Sequence, residues 1–181
     1  MKTIIETPRL ILREIVPDDL EGFFEMDSDP EVHRYLYNNP VKDRQQVMDA
    51  ILSVRQQYKD NGIGRWAMVL KETGAFIGWT GMKLVTDTVN NHSCYYDIGY
   101  RLNRRFWGMG YATESALPCV DYAFEQLKVR ELIGTTQVGN IASQTILKKC
   151  GLQFVEHFEQ RGVGCCWLRL TRQEWEERRN H

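Results

Sequence analysis

The 181-residue chain has room for one domain with a single sizeable core and too little length for two comfortable ones. Its formal net charge of −1 supplies no global field for nucleic acid or an anionic membrane, so any phosphate recognition has to be local. With 43% hydrophobic and 26% charged residues, no apolar run near the roughly 18 residues of a membrane span, and neither an apolar core nor a cleavage site between Met1 and Pro8, the sequence predicts a cytoplasmic globular protein.

Leu10 to Ile15 reads as a first strand, and Pro17-Asp18-Asp19 opens a helix, with proline tolerated in the first turn and acids favoured at its positive end. A second helical stretch is expected from Asp29 to Tyr35. A third runs from Asp43 to Lys59, where Val47, Ile51, Val54 and Tyr58 recur at helical spacing. Asn38-Asn39-Pro40 between them predicts a mobile rim. From Gly64 the period switches to two: Arg65 to Leu70, a Glu72-Thr73-Gly74 turn and Phe76 to Gly81 make a hairpin. A polar loop from Thr86 to His92 leads into the strand from Tyr96 to Leu102.

The next segment, Arg105-Phe106-Trp107-Gly108-Met109-Gly110, lies between that strand and a helix opening near Tyr111. Two glycines let a backbone approach a ligand closely, and a helix start offers unpaired N–H groups and a positive dipole end, which together suit a phosphate. Arg104 and Arg105 add positive charge. A P-loop would need Gly-x-x-x-x-Gly-Lys-Ser/Thr, which is absent, and a dinucleotide fingerprint would need a small residue where Thr113 stands. A glycine turn that merely starts a helix would show the same spacing.

Ala112, Ala116, Val120, Ala123 and Leu127 mark the core face of that helix, with Pro118 removing one backbone bond. Leu132 to Thr136 is a short strand. Asn140 caps a helix that Gly151 stops, the stretches from Leu152 to Glu159 and from Val163 to Leu170 pair, and Thr171 to Glu174 is a capping box. Cys94, Cys119, Cys150, Cys165 and Cys166 form no C-x-x-C pair and read as reduced thiols. His33, His92, His157 and His181 lack metal-ligand spacing, so no metal site is expected. One mixed α/β (α+β) domain over residues 1–181 follows, with about seven mostly antiparallel strands flanked by helices.

This order of elements, with Arg105-x-x-Gly108-x-Gly110 and Asn140-x-x-Ser143, resembles the GNAT superfamily of N-acetyltransferases. Thr7-Pro8-Arg9-Leu10-Ile11-Leu12-Arg13, Ile98-Gly99-Tyr100, Trp107 to Glu114, and Asn140 to Ser143 followed by Lys149 to Leu152 make it most similar to the branch of ribosomal-protein N-terminal alanine acetyltransferases. The resemblance implies acetyl-CoA as cosubstrate. Arg105, Gly108 and Gly110, with the amides of Trp107, Met109, Tyr111 and Ala112, would hold its diphosphate. Tyr100, Arg101 and Leu102 would pair with the pantetheine arm as an added strand does, and Asn140 and Ser143 would approach the thioester. Homodimers are frequent in the family.

The resemblance also places a carboxylate general base at Asp97, although Asp97 could equally pair with Arg101 or a neighbouring strand. Alternation puts Asp97 on the face of Gly99 and Arg101, away from Ile98 and Tyr100. Many superfamily members protonate the leaving thiolate with a tyrosine where Leu147 stands here. In the resembling branch a serine, here Ser143, is implied to hydrogen-bond the sulfur instead. His33 and Glu159 are alternative acid–base groups; Cys150 has no visible histidine partner, and the resemblance implies direct transfer in a ternary complex. An α-amino group with a pKa of roughly 7.7–8.0 is neutral far more often at neutral pH than a lysine near ~10.4. A weak base therefore favours a protein N-terminus or a small amine. Asp27, Asp29, Glu31, His33, Tyr35 and Tyr37 form an acidic, aromatic stretch able to greet a cationic acceptor. A non-catalytic acyl-CoA-binding module would share the cradle without the chemistry.

Overall fold

The computed structural model describes residues 3–180; Met1 and Lys2 of the start assessed above, and His181 of the four histidines, lie outside the described residues. The strands are β1 (Thr3–Glu6), β2 (Leu10–Glu14), β3 (Trp66–Leu70), β4 (Phe76–Val85), β5 (Tyr95–Leu102), β6 (Glu131–Gln137), β7 (Gln153–Gln160) and β8 (Val163–Thr171). They form one eight-stranded sheet in the order β1-β2-β3-β4-β5-β6-β8-β7. Neighbours are antiparallel except β5 and β6, which are parallel. The helices are α1 (Leu20–Asp27), α2 (Arg44–Asn61), α3 (Tyr111–Glu125), α4 (Ile141–Lys149) and α5 (Arg172–Arg179).

Both faces of the central sheet are covered, which explains why all of β3 is buried and reads as a continuous apolar run. Leu12, Trp66, Met68, Met82 and Ile98 pack with Ala116, Val120 and Phe124 of α3 on one face. Ile15, Ala67 and Val69 pack with Phe23 and Met26 of α1 and Val47 and Ile51 of α2 on the other. Local signals set most boundaries. Asp43 accepts the Gln46 N–H at 2.9 Å to cap α2, and Gly62 ends it at φ 68. Pro17–Asp19 is a short 3-10 turn running into α1, with Asp19 held by Arg13 at 2.6 and 2.8 Å.

One expectation is corrected. The stretch from Asp29 to Tyr35 is a series of turns rather than a helix. Asp29 Oδ1 accepts the Glu31 N–H at 2.8 Å, which competes with helical bonding, and Tyr37 and Asn38 adopt positive φ. The expected sheet of about seven mostly antiparallel strands has eight among the described residues, Thr3–Glu6 adding a half-exposed border strand without clear alternation.

Candidate active site

β4 and β5 pair without a break from Gly78↔Leu102 to Val85↔Tyr95, but β5 and β6 share a single register pair, Asp97↔Ile133. Beyond Asp97 the two strands diverge. The edge of β5 over residues 98–101 therefore faces an opening where a ladder partner would stand, and its N–H and C=O groups can receive another extended chain. Tyr100 and Arg101 lie along this edge, and Leu102 ends it.

At the mouth of the opening the chain makes a 3-10 turn, Arg104–Phe106, and reaches Gly108 at φ 73 and Gly110 at φ 84. Those left-handed conformations account for glycine at both positions. The Trp107 indole N–H donates to the Leu102 carbonyl at 3.0 Å, pinning the loop to β5. A side chain built at Gly108 would meet nothing within 4 Å, so the backbone there is open to approach. α3 begins at Tyr111 without a side-chain cap, whereas α2, α4 and α5 are capped by Asp43, Asn140 and Thr171. The leading amides of α3 thus keep their donors for an outside acceptor, and this arrangement fits a diphosphate.

Around that loop, Trp107 and Met109 are exposed, Tyr111 is buried and Ala112 half-buried. The Arg105 guanidinium lies 3.1 Å from Glu25. Glu25, Asp29, Asn103, Arg104 and Arg105 line an open cavity of about 470 Å³ beside it.

The start of α3 is fixed from an unexpected direction. Glu114 accepts from the Thr7 hydroxyl at 2.6 Å, the Arg9 N–H at 2.9 Å and Arg9 Nε at 2.6 Å, and the Arg9 guanidinium stacks 4.2 Å above the Tyr111 ring. Burial works against the Glu114 charge, but these bonds outweigh it and hold the carboxyl below its ordinary value. Thr7-Pro8-Arg9 and Glu114, read above only as shared family residues, form one clamp.

On the α1 and α2 side of the opening, Asp97 pairs with Arg65 rather than Arg101. Arg65 Nη2 lies 2.5 Å from Asp97 Oδ2, while Nη1 donates to the Asp97 carbonyl at 2.6 Å and to the Gly81 carbonyl. Burial pulls Arg65 below its ordinary value, and Asp97 offsets this only in part. Arg101 reaches Asp27 at 2.8 Å instead, and Trp79 lies about 5 Å beneath both guanidiniums. Burial raises Asp27, yet the Arg101 guanidinium that donates to it prevails and leaves its carboxyl below the usual range. His33 Nε2 is 3.7 Å from Asp27, too far for a hydrogen bond, and both ring nitrogens are buried without a partner. Sequence reasoning missed Arg65 and Trp79. A charge at position 65, in phase with the core residues Ala67 and Val69, was the available signal.

The segment over residues 29–38 crosses this face. A side chain on Gly139 would stand 3.3 Å from Tyr35, and the Tyr37 hydroxyl donates to Gln160 Oε1 at 3.1 Å. Glu159, next to that contact, is exposed.

On the α3 and α4 side, Asn140 Oδ1 accepts the Ser143 N–H at 3.1 Å. The Tyr100 hydroxyl donates to the Ser143 carbonyl at 2.8 Å and lies 3.2 Å from Ser143 Oγ. Leu147 is buried against Gly134 and Cys150 is buried, its thiol pushed up to about 12. A thiol so disfavoured as thiolate is no nucleophile. The opening thus gathers Tyr100, Arg101, Asn140 and Ser143 along its sides, Asp97 at its inner end, and the Gly108 to Ala112 loop at its mouth.

The Acetyltransferase (GNAT) domain family matches residues 9–153. FsC-acetyl coenzyme A-N(2)-transacetylase of Aspergillus fumigatus is 32% identical, over 94% of this chain and 77% of its own. A GNAT-family acetyltransferase structure from Bacillus anthracis superposes with a TM-score of 0.77 at 21% identity, covering 93% of this chain and 98% of that one. A spermidine N-acetyltransferase structure from Vibrio cholerae, in complex with CoA and spermine, gives 0.72 at 15% identity, covering 92% and 98%.

Proposed function

The chain belongs to the GNAT acetyltransferase family, and from that premise we propose that it transfers an acetyl group from acetyl-CoA to a primary amine, directly within a ternary complex. The observation that carries this reading is the parting of β5 from β6 after Asp97, beside a helix start that lacks a side-chain cap. The leading amides of α3, with Gly108, Gly110 and Arg105, hold the diphosphate. The backbone of Tyr100 to Leu102 takes the pantetheine arm, and Asn140 and Ser143 flank the thioester, whose polarised carbonyl supplies the acetyl group. Arg105 changes partner from Glu25 to phosphate.

The acceptor enters over Trp79, Asp97 and the segment over residues 29–38. Asp97 receives the amine proton at the inner end of the opening, directly or through water, while Ser143 donates a hydrogen bond to the departing sulfur. The acceptor class is an α-amine of a protein N-terminus, as in the ribosomal-protein alanine branch, or a small amine; the low basicity of an α-amine asks little of the base. Two measurements test this. Calorimetry with acetyl-CoA should give a saturable heat, and a panel of peptide N-termini, polyamines and amino sugars should release free CoA with at least one acceptor. Binding without release from any acceptor would overturn the catalytic reading.

A further inference from the structure

Tyr100 belongs to β5 and Ser143 to the first turn of α4, so a bond between them spans the opening. The phenol has one proton. In the free protein it lies on the Ser143 carbonyl at 2.8 Å, which leaves the phenol oxygen as an acceptor for the Ser143 hydroxyl 3.2 Å away. Both residues are half-buried, which leaves them reachable from the opening. Leu147, one turn further along α4, is turned into the core against Gly134 and offers no proton. Burial also pushes the Tyr100 phenol up, its bond to Ser143 counteracting only in part, so it stays protonated and serves as a donor rather than an acid.

We propose that Tyr100 is a positioning residue for thiolate departure: its hydroxyl orients the Ser143 hydroxyl and backs it with a second hydrogen bond when that group turns to the leaving sulfur. The inference rests on the acetyl-CoA reading above. As the C–N bond forms and the C–S bond breaks, the amine proton leaves on the acceptor side and the electron pair stays on sulfur. Ser143 then donates to sulfur, the Tyr100 proton shifts toward Ser143 Oγ, and no proton leaves either side chain. The thiolate takes its proton from water.

The test compares wild type, Tyr100→Phe, Ser143→Ala and, as a control, Tyr122→Phe, a tyrosine packed edge-on against Trp66 at 4.9 Å outside the opening. Tyr100→Phe should lower kcat about tenfold, the upper end of what one neutral hydrogen bond contributes, and leave KM for acetyl-CoA unchanged. The thiol of bound CoA, followed by thiolate absorbance without any turnover, should ionise about one pH unit higher in Tyr100→Phe and in Ser143→Ala, the same tenfold. Desulfo-CoA, which lacks the sulfur, should bind all four proteins alike. Should Tyr100→Phe not fold, Ser143→Ala carries the thiol readout. Unchanged kcat and unchanged thiol ionisation in the variants overturn the role of Tyr100. Wild type that binds no CoA overturns the acetyl-CoA reading instead.

Discussion

Arg65 meets Asp97 at 2.5 Å with side-chain exposures of only 10% and 13%, so the two charges are buried against each other where β5 leaves β6. Removing one partner strands the other. Asp97→Ala should cost about 3–5 kcal/mol of unfolding free energy, read by urea titration. Asp97→Asn should lower turnover at neutral pH with little change in acetyl-CoA affinity. The double change Arg65→Met with Asp97→Leu should recover stability but not rate. A double variant as active as wild type would remove Asp97 from the chemistry.

Asp27 gives the protein an acid-sensitive joint. Its folded-state value lies below the ordinary 3.8, so its contribution to stability is complete above that value and fades as pH falls through the depressed one. Asp27→Asn should weaken the protein at neutral pH and flatten the decline below pH 3.8. Thermal unfolding across an acid series checks this; parallel curves for the two proteins would contradict it.

Gly108 separates backbone strain from ligand access. Alanine there must hold φ 73, at a cost of about 1–2 kcal/mol, whereas asparagine tolerates that conformation better. Open space around the position lets either fit in the free protein. Gly108→Asn should therefore melt near wild type yet bind acetyl-CoA at least about tenfold more weakly, because its side chain occupies the approach path. Full affinity in calorimetry would return the loop to the role of a simple turn.

Glu114 should behave as a structural residue with a functional echo. Glu114→Ala releases Thr7 and Arg9 together and should cost about 1–3 kcal/mol in denaturant unfolding. Loosening the start of α3 should also reduce affinity for CoA more than it changes kcat. A variant with wild-type stability would show the clamp to be incidental.

Much of this architecture is written in short-range chemistry. Asp43, Asn140, Thr171 and Gly62 punctuate their helices through contacts within a few residues, and the continuous apolar run from Trp66 to Leu70 needs nothing distant. The stretch from Asp29 to Tyr35 misleads because helical spacing does not reveal that Asp29 Oδ1 takes the Glu31 N–H, nor that Tyr37 just beyond it is held by Gln160, more than 100 residues away. The same holds at the site. Gly108 and Gly110 announce themselves by type and place, while the pairing of Asp97 with Arg65, and of Arg101 with Asp27, depends on register and on where α1 comes to rest.

A sheet ordinarily has two borders, and both of this one's, β1 and β7, lie at its flanks. The separation after the Asp97↔Ile133 pair creates two more, facing each other in the middle of the fold. Interior backbone left in this condition is a standing invitation to any extended segment. A tightly bound guest at that seam also lifts the melting temperature by mass action, in proportion to the logarithm of its concentration over its dissociation constant. On the proposed reading the protein is sturdiest when charged with acyl donor, and its emptied form is the one most exposed to mispairing and self-association.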